Sequence, residues 1–408
     1  MTMTTPLILP TGAEGCCPGY AERVKVQPGA ERTDSMSKQS DHMPDTAGDN
    51  APLIHVVGAR PNFMKLAPVY LALDGRRPQK IVHTGQHYDR RMSGDFFELL
   101  GLPDPHHNLA IGSGSHAAQT AAIMVGLEKV FLEEHPRAVI VYGDVNSTLA
   151  ASLVASKLLI PCVHVEAGLR SGDRTMPEEL NRLVTDQLSD ALLIHSEEAT
   201  GNLVREGVAE EKIHFVGNVM IDTLQRMLAV AEARFPDSGV RVPDRFALVT
   251  MHRPSNVDDP ESLARIARYL DQLADRLPVL FPVHPRTRAA LEALDFRPRS
   301  TGFHYMEPLD YLTFIVLQKR ATVVITDSGG VQEETSYLGT PCLTLRQNTE
   351  RPVTVAIGTN TLVGENPDDL TPLIDDILNG RYKTGAVPPL WDGQAAERIA
   401  DVIERLFP

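Results

Sequence analysis

Short runs of β-branched and aliphatic residues recur along this chain, and nearly every one is followed at once by a glycine or an ionisable residue. Leu53–Val57 leads into Gly58-Ala59-Arg60, Ala138–Tyr142 into Gly143-Asp144, and Cys162–Val165 into Glu166-Ala167-Gly168. Runs that are apolar throughout, without alternation, suit strands covered on both faces, which is the environment of a parallel sheet. Helix-length stretches separate them, at roughly 116–134, 148–158 and from Pro177 onward. The pattern predicts an α/β doubly wound fold, in which ligands gather at the carboxyl ends of the strands.

The alternation occurs twice. A Pro- and Gly-bearing linker, FPDSGVRVPDR, precedes a second series: Phe246–Thr250 ends in Met251-His252-Arg253, Val279–Val283 in His284-Pro285-Arg286, and Thr322–Thr326 in TDSGG. A chain of 408 residues also exceeds one core, which by length favours two domains of roughly 150–200 residues each. The expected organisation is two Rossmann-like domains facing each other across a cleft, at 51–218 and 219–392, with the amphipathic C-terminal helix in 393–408 packing back on the first. Residues 1–50, rich in Gly, Pro, Ser, Thr and Asp, read as a disordered extension.

A net charge of -14 argues against general binding to nucleic acid or anionic membranes, since phosphate backbones need a basic face. Any anionic ligand must then be held by a few local cations. The four cysteines, Cys16, Cys17, Cys162 and Cys342, show no metal-ligand spacing, and the last two sit in apolar runs as reduced core thiols of a cytoplasmic protein. No run approaches the ~20 apolar residues of a membrane span, and no signal-peptide pattern precedes PLILP.

The ionisable residues at the strand ends carry the chemistry. Arg60 and Lys65 stand beside the start of the first helix, where backbone N–H groups and cations together favour phosphate. Neither this turn nor the GSGS of 112–115 has the GxGxxG spacing of a dinucleotide site, which weakens any NAD mechanism. Asp144 and Ser147 have an ordinary reading as helix caps. Consecutive strands ending at Tyr142 and Val165 should nevertheless lie side by side, bringing Asp144 to the same sheet edge as Glu166. Pro177 fits the first turn of a helix that puts Glu178 and Arg182 four residues apart on one face. In the second series, Asp327-Ser328-Gly329-Gly330 precedes a helix over Val331–Leu338. The glycines let backbone N–H groups approach a phosphate, and one of Glu333 and Glu334 can reach ribose hydroxyls. Arg346 and Arg351 add cations after the next strand.

Together these stretches resemble a known family. GARPNFMKLAP, HTGQHYD, GDVNST, HVEAGLRS with MPEELNR, MHRPSNVDD, FPVHPR, and DSGGVQEE before NTERP are similar, in order and across residues 53–351, to the motifs of the non-hydrolysing UDP-N-acetylglucosamine 2-epimerases. The resemblance implies a glycosyltransferase-B-like architecture and reversible interconversion of UDP-GlcNAc and UDP-ManNAc without NAD, metal or any other cofactor. It also implies a homodimer. It assigns Asp144, Glu166 and Glu178 to acid–base chemistry, and gives the nucleotide to Arg60, Lys65, His252, Ser328, Gly329, Gly330, Glu334 and Arg351. His252 joins the catalytic set, and Arg182 is expected to face the ligand. Asn62-Phe63-Met64 and Pro254-Ser255 depart from sequences common in the family. They leave a related substrate, UDP-2,3-diacetamido-2,3-dideoxy-glucuronic acid, as an alternative, and a glycosyltransferase of the same fold after it. Gln86-His87 matches a loop that binds an allosteric UDP-GlcNAc in part of the family, whereas Tyr88-Asp89 departs from it.

The chemistry agrees with that reading. The C2 hydrogen of an acetamido sugar has no adjacent carbonyl to acidify it, so direct abstraction is too costly. Departure of UDP first leaves an oxocarbenium-like C1, which acidifies C2 and yields a 2-acetamidoglucal. Such a route needs cations for the diphosphate and carboxylates for the two faces of C2.

Overall fold

The computed structural model describes residues 50–85 and 97–408. Gln86-His87 and the extension before residue 50 lie outside the described residues.

Two parallel sheets organise the described chain. The first has the order β3-β2-β1-β4-β5-β6-β7, from β1 (Leu53–Val57), β2 (Gln79–His83), β3 (His107–Asn108), β4 (Ala138–Tyr142), β5 (Cys162–Val165), β6 (Ala191–Ile194) and β7 (Ile213–Phe215). The second has the order β10-β9-β8-β11-β12-β13, from β8 (Ala247–Thr250), β9 (Val279–Pro282), β10 (Phe303–Met306), β11 (Val323–Thr326), β12 (Cys342–Thr344) and β13 (Asn360–Leu362). Every side chain of β1, β4, β5 and β6 is buried, which explains why these strands read as unbroken apolar runs. The order reverses beside β1 and β4 in one sheet and beside β8 and β11 in the other. Loops diverge at such points and leave a crevice for ligand.

β4 and β5 are adjacent, with Tyr142 opposite Val165, so Asp144 and Glu166 share one sheet edge. The long helix Val219–Arg234 packs against both Arg60–Leu73 of the first half and Tyr311–Arg320 of the second. Thr223 donates its hydroxyl to the Met64 carbonyl at 2.6 Å. The last helix, Ala395–Leu406, lies on Arg60–Leu73, and Arg76 reaches Glu397, Asp401 and Glu404 along it. The segment leading to that helix crosses tightly: a Cβ on Gly217 would stand 2.1 Å from the Leu390 carbonyl oxygen, and the Trp391 indole donates to the His195 carbonyl at 3.0 Å. Cys162 and Cys342 are free and buried, and burial raises the two thiols to about 12 and about 11. Among the described residues no helix is long and apolar enough to cross a membrane.

Candidate active site

The turn after β1 is built by Asn62. Placed three residues beyond Ala59 in the Arg60–Leu73 helix, it accepts from the Gly58 and Ala59 N–H groups at 3.2 and 3.1 Å. Its amide donates to the Tyr142 carbonyl at 2.9 Å, fastening the turn after β1 to the turn after β4. A glutamate at this position can accept but cannot make that donation. The departure at Asn62 therefore shapes backbone. Arg60 stands exposed at the helix start, near Asp310 and Tyr311 of the second half. Lys65, one turn further in, is buried and pairs with Glu166.

Gly143 makes that pairing possible. Its φ of +64° suits glycine, and a Cβ there would lie 2.8 Å from Lys65 Nζ. Asp144 follows and does not cap the next helix, Asn146–Lys157, whose start has no side-chain cap. It is instead held by Arg182. Ser147, the other expected cap, lies 2.7 Å from the Thr84 hydroxyl. Glu166 has φ of +73°, a backbone region that costs a non-glycine residue energy and recurs at functional sites. Its own N–H and that of Ala167 both donate to the Leu193 carbonyl, at 3.0 and 3.1 Å, and hold it there.

The Glu178–Arg182 pair expected from four-residue spacing does not form. Glu178 is exposed, and the buried Arg182 binds Glu179 at 2.7 Å and Asp144. The loop before the helix Pro177–Leu188 folds back over its first turn, and Ser171 and Gly172 donate their N–H groups to Glu179 at 3.0 and 2.9 Å. Those donors draw Glu179 inward in place of its neighbour. Arg182 thereby orients Asp144 from behind. Beneath them His164 links the Asp186 carboxylate, at 2.6 Å, to the Gly143 carbonyl, at 2.8 Å, while Asp186 accepts from the Gly168 N–H at 3.1 Å. These two side chains tie together the turns bearing Asp144 and Glu166, and nothing in the strand-end pattern singled them out.

The second half supplies a matching rim. Asp327, after β11, accepts from the His252 and Arg253 N–H groups and from Asn256, and its oxygen lies 3.2 Å from His252 Nδ1. Burial works to raise Asp327, but His252 and these donors hold it below the usual carboxylate range. His252 itself is exposed at 45%. The helix Gly329–Leu338 begins two residues earlier than expected, and Ser328 precedes it without capping it through its side chain. Gly329 also makes room for a side chain: a Cβ there would strike Arg351 Nη1 at 2.5 Å, so the guanidinium fills that space. Around Gly330 nothing lies within 4 Å of the Cβ position, and the approach is open.

Arg351 joins the halves. Its Nε donates to Glu333 at 2.7 Å and its Nη2 to Glu166 at 2.8 Å. Glu333 lies below the usual carboxylate range: burial opposes ionisation, but Arg351 and His195 outweigh it. Glu350, unassigned from sequence, is paired with Arg346 at 2.8 Å and Arg253 at 3.5 Å. Glu334 is buried, accepting from Tyr311 at 3.0 Å and Gln318 at 2.6 Å, and burial raises it to about 7. Lys65, Glu166 and Arg351 are thus joined by ion pairs, and the separate Asp144–Arg182 pair lies near enough to act electrostatically on Lys65. Glu178 stands apart from these ion pairs. No cluster of His, Cys, Asp or Glu among the described residues has the arrangement of a metal site.

Two Rossmann-like sheets with charged residues at both switch points define a glycosyltransferase-B-like α/β protein. The crystal structure of the glycotransferase of kitacinnamycin shares this fold at a TM-score of 0.56 with 13% identity, over 88% of this chain and 100% of that one. The UDP-N-acetylglucosamine 2-epimerase family model matches residues 72–404. The Methanocaldococcus jannaschii protein of that name is 42% identical over 358 residues, covering 85% of this chain and 97% of its own. The chain therefore belongs to the UDP-N-acetylglucosamine 2-epimerase family. The crystal structure of the M. jannaschii enzyme in complex with UDP-GlcNAc and UDP matches at a TM-score of 0.79, covering 87% of this chain and 99% of that one. A Pseudomonas aeruginosa relative, named UDP-2,3-diacetamido-2,3-dideoxy-D-glucuronate 2-epimerase, is 41% identical over 87% of this chain and 99% of its own.

Proposed function

We propose that this enzyme interconverts UDP-GlcNAc and UDP-ManNAc by eliminating UDP and adding it back. The observation that carries the reading is the pairing of two buried cations, Lys65 and Arg351 from opposite halves of the chain, with Glu166, and the electrostatic reach of Asp144 to both. In the forward direction the C1–O bond breaks with its electron pair going to the β-phosphate oxygen. The C2 proton passes to a carboxylate, and the remaining pair forms the C1=C2 bond of 2-acetamidoglucal. Re-addition reverses these steps, with the proton delivered to the opposite face. Asp144 and Glu166 serve C2, with Glu178 reaching the sugar from its exposed helix start. Lys65, Arg351, Arg60 and His252 stabilise the departing diphosphate beside the Ser328–Gly330 turn. A carboxylate offers about four lone-pair sites, so Glu334 can accept from ribose hydroxyls beyond its contacts to Tyr311 and Gln318. Arg182 positions Asp144.

The second reading, a C2 epimerase of the diacetamido-glucuronate sugar, is supported by the P. aeruginosa relative. Initial rates with both nucleotide sugars separate the two. Formation of UDP-ManNAc, reaching the same ratio from either side, supports the first; turnover confined to the acidic sugar replaces it with the second. We also place the enzyme in the cytoplasm as a homodimer. Exposed Val125 and Leu132 on the helix His116–Glu134, and Leu180 and Val184 on Pro177–Leu188, support an apolar subunit contact.

A further inference from the structure

Two buried cations from opposite halves converge on one carboxylate. Lys65, from the first helix, pairs with Glu166 Oε2, and Arg351, after β12, donates to Glu166 Oε1 at 2.8 Å. Glu166 is 6% exposed, and Lys65 and Arg351 are its ion-pair partners. Of the other anions near these cations, Glu333 shares Arg351, and Glu350 and Asp144 have arginine partners of their own. Glu333, 1% exposed inside the helix Gly329–Leu338, holds Arg351 through Nε and faces His195 at 3.4 Å. Glu350 lies 3.6 Å from Arg351 and is bonded to Arg346, while Asp144 is bonded to Arg182. Among the described residues Glu166 is the carboxylate that ion-pairs with both cations, and they are the ones a diphosphate beside Gly330 would require.

We infer that the diphosphate of the substrate and the carboxylate of Glu166 compete for Lys65 and Arg351, so that nucleotide binding uncovers the catalytic carboxylate. This rests on the epimerase reading above. A diphosphate presents several charged oxygens to the same donors and forms the stronger set of charge-assisted contacts. Once Lys65 and Arg351 turn to it, Glu166 keeps its burial and loses its countercharges. Both changes favour the protonated form and make the carboxylate a stronger base, as abstraction from the weakly acidic C2 demands. The backbone need not move, because the Glu166 and Ala167 N–H groups stay on Leu193. Burial also pushes Lys65 down to about 8, so this ammonium depends on a neighbouring anion to keep its proton. A sugar lacking the diphosphate would meet Glu166 still paired, which restricts proton abstraction to the loaded enzyme.

The competition has an unusual consequence for binding. Removing the Glu166 charge should improve the affinity for UDP while abolishing turnover. Titration calorimetry of UDP into the wild type and Glu166→Gln tests it, with thermal unfolding to establish that the variant is folded. The expected result is binding at least about tenfold tighter in the variant, the scale on which one competing charge-assisted contact shifts an equilibrium. The gain should shrink when Glu166→Gln is made in an Arg351→Met background. Glu166→Asp, whose shorter side chain withdraws from Arg351, provides a second variant and should show a smaller gain. Equal or weaker UDP binding by folded Glu166→Gln overturns the inference and leaves the epimerase reading standing. Failure of the wild type to bind UDP overturns both.

Discussion

Burial pushes the Lys65 ammonium down to about 8 from an ordinary 10.5, and in the proposed reaction the charge it loses on deprotonation is one that holds the diphosphate. The sign is fixed: below about 8 the cation is present, and as pH rises through that value it disappears. KM for the UDP-sugar should therefore climb between pH 7.5 and 9, and Lys65→Arg, which stays charged, should flatten that climb. A KM unchanged across the range in the wild type would remove Lys65 from the diphosphate site. The paired glycines give a second residue-scale prediction. Gly329→Ala drives a Cβ into the Arg351 guanidinium and should weaken UDP binding about tenfold or more by displacing a charge-assisted contact. Gly330→Val meets no protein atom at its Cβ, so it should leave the melting temperature almost unchanged while obstructing the ligand, read as a raised KM. That Asp144 and Glu166 share one sheet edge is legible because strand ends in a doubly wound sheet advertise themselves. The pairing of Glu179 with Arg182 is not. Four-residue spacing favours Glu178 for Arg182, and only the return of Ser171 and Gly172 over the helix start reverses the choice.

At the scale of elements, the last helix is fastened by Asp222, which accepts from the Ala395 and Ala396 N–H groups at 3.2 and 2.7 Å. Burial raises this carboxyl to about 6, ahead of the opposing pull of those two donors. A raised folded-state value means that its contribution to stability is fully present below the ordinary 3.8 and is lost as pH rises through about 6. Asp222→Asn should cost a roughly constant amount from its lost acceptor. The wild type's advantage over it in thermal unfolding should shrink between pH 4 and 6, by on the order of 2 kcal/mol. A difference that stays constant across that window contradicts the assignment. The alternation of elements was readable because covered parallel strands leave unbroken apolar runs. The short edge strands β3, β10 and β13 were not read: His107–Asn108 carries no apolar run, and Phe303–Met306 buries only its first side chain fully. The helix starts at Asn146 and Gly329 come earlier than the sequence suggests: Ser147 has the look of a cap but meets Thr84, and the Gly329–Gly330 pair is part of the helix it was expected to precede.

For the whole molecule, two consequences extend beyond the single chain and single site. The exposed Leu180 and Val184 lie one turn apart on the helix Pro177–Leu188. Replacing both with aspartate should convert a dimer to a monomer in light scattering, since like charges in an apolar contact are costly to desolvate; an unchanged mass would place the contact elsewhere. The facing of the two switch points could be expected from the repeated alternation, but the bridge that Arg351 makes to Glu166 could not, because it joins residues far apart in sequence on separate sheets. In the proposed reaction UDP leaves and returns at that bridge, and C2 exchanges its proton while UDP is detached. Incubation with UDP-GlcNAc in D2O, followed by proton NMR, tests this directly. Deuterium should enter C2 as UDP-ManNAc accumulates, with the UDP-sugar linkage intact at equilibrium. Epimer formed with the C2 hydrogen retained, or conversion to hydrolysis or transfer products instead, would contradict it.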